Sequence, residues 1–388
     1  MSLVYTEDQE QFRESIQRFL NDQMPATKVR QLMATDHALD KTVWQQASEQ
    51  LALTGIHIPE NFGGAGFGAV ELGIALEEMG KSLFCGPYFS SAVLSAYALM
   101  LCGDDDQQEQ WLSGIASGER KACLAVTETY GLWQENDIQA TATLQSSSNA
   151  LLNGQKCFVI DGQSADLLVV AARLDTGIGL FVADMHTTGI TVQALDTMDS
   201  TRKMANIQLS DVQATPLAHM TENWLDMLLN VACIALSAEM IGGAQRLLDS
   251  AIDYTQLRYQ FGRSIASFQA IKHRLADLLL EVELGRSAAY QALNTLANCD
   301  LREPNAEQLS KLTEHASLAK AAVSEVYLLA ALETIQLHGG IGFTWENDTH
   351  LWFKRAKSSE VLLGTPAEHR ERMLTAIEAG LTLKENAA

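Results

Sequence analysis

The chain has 388 residues, of which 47% are hydrophobic, and a formal net charge of −21 at pH 7. This length accommodates two or three packed units, and the composition is typical of a globular protein. The acidic excess argues against a nucleic-acid partner, because phosphate binding needs clustered Lys and Arg. One small anionic ligand remains compatible with it, since a local arginine pocket can exist on an acidic protein.

The cysteines and the N-terminal segment bear on compartment and on metal binding. None of the six cysteines forms a Cys-x-x-Cys pair or stands at metal-ligand spacing with a histidine, so we predict no metal site. The start, MSLVYTEDQEQF, lacks an apolar signal segment, and we find no run of the roughly 20 apolar residues that cross a membrane. We therefore predict a cytoplasmic protein with reduced cysteines and no membrane insertion.

Apolar residues recur every three or four positions from about residue 6 to 118, which predicts helices interrupted by a loop at 57–68. Part of this loop, GGAGFGA (63–69), formally matches a dinucleotide-binding fingerprint. That fingerprint needs a preceding strand and a βαβ unit, whereas helical patterns flank it here. We interpret it as a structural glycine-rich turn.

From about residue 120 to 218 the pattern changes to short β-rich runs separated by Gly, Asp, Asn and Ser, which predicts a compact β unit. Helical periodicity returns at Trp224, and 225–258 reads as one long helix rich in small residues. This order is not the alternation of a doubly wound sheet. We predict an α+β protein with a helical domain at 1–118, a β domain at 119–222 and a helical bundle at 223–388.

Two C-terminal segments, LRYQFGRSIASFQAIKHRLAD (257–277) and QLHGGIGFTWENDTHLWFKRA (336–356), place Gly, Gln and Arg within helical patterns. Arg258 can offer a fixed fork to a phosphate oxygen, and Gly339 and Gly340 allow a ligand close to the backbone. Together the segments resemble the acyl-CoA dehydrogenase family of flavoproteins. The resemblance implies an N-terminal helical domain, a middle barrel-like β domain and a C-terminal four-helix bundle, assembled as a dimer or a dimer of dimers.

The resemblance also implies FAD as the cofactor. By family position, Arg258, Gln260 and Phe261 reach a cofactor held mainly by the neighbouring subunit. Further contacts to the cofactor fall on Ile265, Phe268, Gln269, Gln336, Gly339, Gly340 and Thr365. For His338, beside the two glycines, a satisfied core histidine is the simpler interpretation.

The β-domain half of the implied flavin site departs from the family pattern. In AVTETYGLW (125–133), Val126 and Thr127 match the family's loop, but its proline and serine fall on Thr129 and Trp133. In GQKCFVI (154–160), Phe158 and Ile160 replace the tryptophan and threonine that flank the flavin. Phe158 can still pack on a ring face, whereas isoleucine donates no hydrogen bond.

The catalytic base is the other departure. Most members abstract the α-proton with a glutamate in an E-G-T string, and this chain reads VLLGT (361–365), with Leu363 at that position. The backbone N–H of Leu363 can still donate to a thioester carbonyl. A minority carry the glutamate where this chain has Ala232. Two helical turns further on, Glu239 in apolar surroundings is expected to have a raised pKa, and it is either a base or a structurally paired carboxylate.

The resemblance implies FAD-dependent α,β-dehydrogenation of an acyl-CoA thioester, with an electron-transfer flavoprotein or a similar acceptor. The VLLGT string resembles the corresponding segment of family members from bacterial pathways that degrade steroids and other bulky acids. Three hypotheses stay open. The chain is a dehydrogenase that uses Glu239, a non-catalytic subunit that completes the FAD site of a homologous chain in a heterotetramer, or a flavin oxidase or monooxygenase on the same fold.

Overall fold

The computed structural model describes residues 5–387 and has the predicted order of a helical, a β-rich and a second helical region. Asp104 caps the helix that follows Gly103, as the acidic run there predicts, and Thr6 and Asp40 cap two others. The N-terminal α-helices are α1 (Glu7–Gln23), α2 (Ala26–Met33), α3 (Lys41–Leu51), α4 (Ala69–Ser82), α5 (Ala96–Cys102) and α6 (Asp105–Ala116). A π-helix, Tyr88–Ser95, leads into α5 and was not expected from the apolar periodicity.

The glycine-rich loop lies between helical segments, as predicted, and folds back on itself. The amides of Gly64 and Gly66 donate to the carbonyls of Pro59 and Ile58. A Cβ on Gly64 would lie 2.0 Å from the Ile58 carbonyl oxygen, so this position requires glycine for close backbone packing.

The middle region is a β barrel. Its strands are β1 (Ala122–Ala125), β2 (Thr141–Ser146), β3 (Asn149–Ile160), β4 (Leu167–Leu174), β5 (Gly177–Asp184), β6 (Ile190–Leu195) and β7 (Met204–Pro216). Pairing runs β4–β2–β3–β7–β5 and returns from β5 to β4, so the sheet closes. The sequence analysis missed β2, a short and mostly exposed strand with little apolar signal.

The C-terminal region contains four long helices and one short one. They are α7 (Trp224–Leu257), α8 (Gln269–Ala297), α9 (Ala306–His338), α10 (Thr349–Val361) and α11 (Pro366–Ala387). A small hairpin, β8 (Tyr259–Gln260) and β9 (Arg263–Ser264), joins α7 to α8. The predicted domain boundaries, at 118/119 and 222/223, fall between these elements and stay a prediction.

Small residues let α4 and α7 approach closely, which attaches the N-terminal helices to the bundle. A Cβ on Gly80 would lie 1.9 Å from the Glu239 carbonyl oxygen, and one on Gly242 equally close to that of Glu77. Among the described helices, α7 has the length and apolar composition of a membrane span, contrary to our expectation. Its apolar stretch is entirely buried within the protein, as a core helix would be.

A buried ion cluster, formed by Asp199, Arg202, Glu239 and Arg355, joins the barrel to the C-terminal helices. Arg202 donates to both carboxylate oxygens of Glu239, at 2.5 and 2.7 Å. Arg355 donates to Glu239 at 2.6 Å and to Asp199 at 2.7 Å. Because removing one partner leaves the other charge buried and unpaired, such a cluster fixes the orientation of the domains it joins.

Asp161 adds a third buried carboxyl beside this cluster. It follows the last residue of β3 and accepts a hydrogen bond of 2.9 Å from Ser90 of the π-helix. The Arg202 and Arg355 charges already face Asp199 and Glu239, so an ionised Asp161 would leave an excess negative charge. Burial raises the pKa of Asp161 to about 7, although Ser90 and the two arginines oppose the shift.

We expect Asp161→Asn to stabilise the protein at and above pH 7. The folded pKa lies above the ordinary value near 4, so the native state binds the extra proton. Below about pH 4 the contribution of Asp161 to the free energy of unfolding is therefore complete. As pH rises from there toward 7, this contribution is lost at about 1.4 kcal/mol per pH unit.

Denaturant unfolding of the wild type and of Asp161→Asn from pH 4 to 8 measures this effect. We expect the difference between their free energies of unfolding to grow with pH. Asp211→Asn is the matched control, because Asp211 also has a positive φ, of 52°, but is exposed. If the difference in free energy of unfolding between the wild type and Asp161→Asn does not change with pH, the raised pKa of Asp161 is contradicted.

Candidate active site

The segment after α7 presents the predicted cofactor residues to solvent. Arg258 caps the C-terminus of α7, and Gln260 lies in the β8–β9 hairpin. Phe261 at the hairpin tip is 90% exposed and has a φ of 54°. Ile265, Phe268 and Gln269 follow in the turn that starts α8. Within the described residues the Arg258 side chain has no hydrogen-bond partner, so its guanidinium is available to an external anion.

The turn after α9 is open in the same way. Gln336, Gly339 and Gly340 are exposed at the C-terminal end of α9. A Cβ built on Gly339 or Gly340 would meet no atom within 4 Å, so packing inside this chain does not explain these glycines. At Gly339, a φ of 65° adds a conformational reason for glycine.

Tyr254 and His338 bring the two C-terminal segments together. Their rings stack with centroids 4.1 Å apart, and the Tyr254 hydroxyl donates to the His338 carbonyl oxygen at 3.3 Å. His338 is buried, and its Nδ1 lies 2.8 Å from the Thr334 carbonyl oxygen. His338 is thus a satisfied structural histidine, as the sequence analysis expected, and it aligns the Arg258 hairpin with the Gly339–Gly340 turn.

The predicted flavin residues of the barrel also lie together. Thr127 donates its hydroxyl proton to the Cys157 carbonyl oxygen at 2.6 Å, which places Val126 and Thr127 beside Phe158. The Phe158 ring is 45% exposed, on a residue with a φ of 57°. An exposed aromatic face at this point can pack on a planar ligand.

A buried lysine fixes this loop, and the sequence analysis missed it. Lys156 donates to Glu128 at 2.8 Å and to the Val126 carbonyl oxygen at 3.1 Å. Glu128 in turn accepts from the amides of Gln139 and Ala140. Burial lowers the pKa of Lys156, while the bond to Glu128 opposes the shift. Nothing in the sequence marked Lys156, because a single lysine in a strand is ordinarily a surface residue.

The turn between α10 and α11 contains Leu363, which the sequence analysis placed at the position of the family's usual base. Leu363 is 4% exposed and packs in the main hydrophobic core. The Thr365 amide and hydroxyl both donate to Glu368 at 2.7 Å, which caps α11. The Thr365 hydroxyl proton is therefore committed within the chain, although its oxygen can still accept a hydrogen bond.

The alternative base position lies beside this turn. Cys233, next after Ala232 in α7, has its Sγ 3.7 Å from Nε2 of His369. That same Nε2 donates to the Leu363 carbonyl oxygen at 2.9 Å. The fold thus brings Leu363 and Ala232, the two positions that the sequence analysis assigned to the family's base, to one region, and both side chains are apolar and accept no proton.

Glu239 is buried as expected, but our expectation of a raised pKa is wrong. Burial by itself would raise the pKa of Glu239, yet the guanidinium groups of Arg202 and Arg355 outweigh it and lower the pKa. A base that takes a proton from carbon needs the opposite shift. Sequence periodicity could not reveal the two arginines, because Arg202 lies 37 residues before Glu239 and Arg355 lies 116 residues after it. The role of Glu239 as a base stays a prediction, and this environment favours the structural interpretation.

The length of α7 separates the two sets of cofactor residues. Cys233 marks the Leu363 end, whereas Arg258 caps the far end of the same helix. At 1.5 Å per residue, the helix from Cys233 to Leu257 is about 36 Å long. Arg258 and the Leu363 turn therefore lie at opposite ends of this part of α7.

The residues present fit a flavin dinucleotide. The exposed Arg258 suits the pyrophosphate, the open Gly339–Gly340 turn allows close approach, and Phe158 offers a ring face. The fit is weaker on the barrel side, because Ile160 is buried and has no hydroxyl.

Comparison with known proteins gives one consistent family. Models of the N-terminal, middle and C-terminal domains of acyl-CoA dehydrogenases match residues 6–119, 123–212 and 223–378. The chain is 31% identical to acyl-CoA dehydrogenase IpdE2 of Mycobacterium tuberculosis, over 95% of this chain and 96% of that protein.

Solved structures with the same fold include a variant of the Tcur3481-Tcur3483 steroid ACAD, with a TM-score of 0.85, 26% identity, and coverage of 97% of this chain and 99% of that one. The ChsE4-ChsE5 complex from Mycobacterium tuberculosis has a TM-score of 0.86 at 24% identity, with the same coverage, and shows the fold alone. The predicted α+β architecture is confirmed, and the chain belongs to the acyl-CoA dehydrogenase family.

Proposed function

We propose that this chain serves the FAD-dependent α,β-dehydrogenation of acyl-CoA thioesters as a subunit without a base of its own. Its Arg258 hairpin and Gly339–Gly340 turn would complete the FAD site of a homologous chain. The observation that carries the proposal is that both base positions, Leu363 and Ala232, are apolar while the residues that reach outward are exposed. The cytoplasmic location and an electron-transfer flavoprotein as acceptor remain predictions.

The length of α7 supports the sharing of the cofactor. Because Arg258 lies about 36 Å along α7 from the Leu363 region, we infer that it contacts the FAD of a second chain. When bound, FAD accepts the hydride from the β-carbon, and the residues named here bind and orient it. The steroid ACAD structure at 26% identity is named for two chains, Tcur3481 and Tcur3483. By analogy, we infer a two-chain assembly that acts on a bulky acyl group.

We expect the purified chain with added FAD to show no flavin bleaching when acyl-CoA thioesters are added without oxygen. The reason is that neither Leu363 nor Ala232 can take the α-proton. The visible spectrum, recorded with thioesters that range from short acyl chains to steroid side chains, measures this. Bleaching by any of them would overturn the proposal. Oxygen consumption by reduced flavin without acyl-CoA would instead support an oxidase or monooxygenase.

If bleaching occurs, Glu239 is the base to test, and Asp199 provides the matched control. Glu239→Gln leaves the buried Arg202 without a carboxylate, so we expect it to cost about 3–5 kcal/mol of stability, whereas Asp199→Asn removes one of the two carboxylates that pair with Arg355 and should cost less. A catalytic Glu239 would make bleaching fail in Glu239→Gln but persist in folded Asp199→Asn. If flavin bleaching is the same in the two folded variants, Glu239 has a structural role only.

The partner role is tested by co-expression with a homologous chain that carries a glutamate at either base position. We expect Arg258→Ala in this chain to lower FAD retention by the complex roughly tenfold, because one charge-assisted contact is worth about 1.5–3 kcal/mol. Arg274→Ala is the control, since Arg274 is an α8 arginine paired with Glu333. Equal FAD content in the two complexes would contradict the partner role.

A further inference from the structure

The segment that ends β3 passes through two left-handed residues. Phe158 has a φ of 57° and Asp161 a φ of 55°, and the strand register shifts between Lys156 and Val159. A left-handed backbone is unfavourable for phenylalanine and persists only where the surrounding contacts impose it. The half-exposed Phe158 ring is the part of this segment that can pack on a flavin. Its position therefore depends on the contacts at the two ends of the segment.

Bonds within the barrel fix the first end. The Cys157 amide donates to the Thr127 carbonyl oxygen at 2.9 Å, and the Thr127 hydroxyl donates back to the Cys157 carbonyl oxygen at 2.6 Å. The Phe158 amide donates to the side-chain oxygen of Asn206 at 3.4 Å, and the two residues after it resume pairing with β7. These bonds place the backbone up to Phe158, and the left-handed turn also needs a fixed second end.

Asp161 fixes the second end. Its amide donates to the Lys203 carbonyl oxygen at 2.9 Å, and its carbonyl oxygen accepts from the Ser164 amide at 2.9 Å. Its carboxyl contacts the hydroxyl of Ser90 in the π-helix, with Oδ2 and Oγ 2.9 Å apart. Through this carboxyl the end of β3 is attached to an N-terminal helix.

The Ser90 hydroxyl has one proton and two partners. Its oxygen lies 2.9 Å from Asp161 Oδ2 and 3.2 Å from the carbonyl oxygen of Pro87, the N-cap of the π-helix. A protonated Asp161 satisfies both contacts, because its hydroxyl donates to Ser90 while Ser90 donates to Pro87. An ionised Asp161 only accepts, so Ser90 then donates to the carboxylate and gives up the bond to Pro87. The hydrogen-bond geometry therefore favours the protonated carboxyl.

The charges that face Asp161 favour the same form. Arg202 and Arg355 are already paired with Glu239 and Asp199, so a third carboxylate would be in excess. A cavity of about 20 Å³ beside these groups has room for one water, so an ionised Asp161 would gain little hydration there.

The remaining groups around Asp161 do not balance a negative charge. The Lys203 ammonium is directed away, to the Met33 carbonyl oxygen at 3.0 Å. The other titratable groups are neutral, because burial raises the pKa of each of them: Cys85, Tyr88 and Cys123. An ionised Asp161 lowers its energy by moving, and such a movement displaces the end of β3.

We propose that Asp161 is a positioning residue for the flavin: its protonated carboxyl anchors the end of β3 and holds the Phe158 ring against the cofactor. When the carboxyl ionises, the anchor is lost, the left-handed backbone at Phe158 relaxes, and the ring turns away from the flavin. This proposal rests on the flavin binding of the proposed function. It adds a control of cofactor retention by a proton that neither the cofactor nor a thioester contacts.

FAD binding to the purified chain at pH 6 and at pH 8, followed by flavin fluorescence, tests this role. The pKa of Asp161 is about 7, so binding to the protonated form alone predicts an apparent affinity roughly tenfold weaker at pH 8 than at pH 6. Asp161→Asn should bind FAD equally at both pH values, because its amide donates to Ser90 in either case. Asp211→Asn is the control, since Asp211 is an exposed left-handed aspartate, and should keep the wild-type dependence.

Phe158→Ala separates positioning from a contribution to stability alone. We expect it to weaken FAD binding at pH 6 and to remove the difference in affinity between pH 6 and pH 8. The pH dependence of its free energy of unfolding should remain, because Asp161 is still present. If the affinity of Phe158→Ala for FAD changes with pH as in the wild type, Asp161 does not act through Phe158.

Three results would overturn the positioning role. They are equal FAD affinity of the wild type at the two pH values, a pH dependence that survives in Asp161→Asn, and no FAD binding at either pH. The proposed function fails by a different readout. Bleaching of the flavin by a thioester would show that the chain has a base, whatever the pH dependence of FAD binding.

Discussion

The buried ion cluster of Asp199, Arg202, Glu239 and Arg355 is the constraint on which the rest of the structure depends. It takes two residues from the barrel and two from the C-terminal helices, and every charge in it is paired within 2.7 Å. Pairs of this kind cost desolvation when they form but cost more when one partner is displaced, so they specify one relative orientation of the domains. The close α4–α7 contact, made possible by Gly80 and Gly242, attaches the N-terminal helices to the same point of α7.

Because α7 carries Glu239 and is capped at its far end by Arg258, the cluster also fixes the helix that positions the predicted cofactor residues. One end of the helix adjoins the Leu363 turn and the other presents the exposed hairpin. A single helix therefore separates the residues predicted for the chain's own cofactor site from those predicted to reach a neighbouring chain. On the side predicted for the chain's own site, Leu363 and Ile160 stand where the resemblance implies a glutamate and a threonine.

The charges near the Leu363 turn show why a missing carboxylate need not disrupt the fold. Lys320 is balanced by carbonyl groups and a hydroxyl, and His369 is neutral, so neither needs an acidic side chain at position 363. Within the described residues, a leucine at position 363 therefore leaves no buried cation unpaired at this turn. Glu239, the next carboxylate along α7 after Ala232, is paired with two arginines, which lowers its pKa and favours a structural role.

The sequence alone was sufficient for the order of the domains, the long α7 and the family, because helical and strand periodicities and the Arg258 and Gly339 strings are local patterns. The short exposed strand β2 and the π-helix before α5 gave no such signal. The tertiary structure alone decided the environment of Glu239, since its arginine partners are distant in sequence and their charges reverse the effect of burial. It also decided the surroundings of Leu363, because Lys320 of α9 and His369 of α11 contact the backbone of the turn that follows α10.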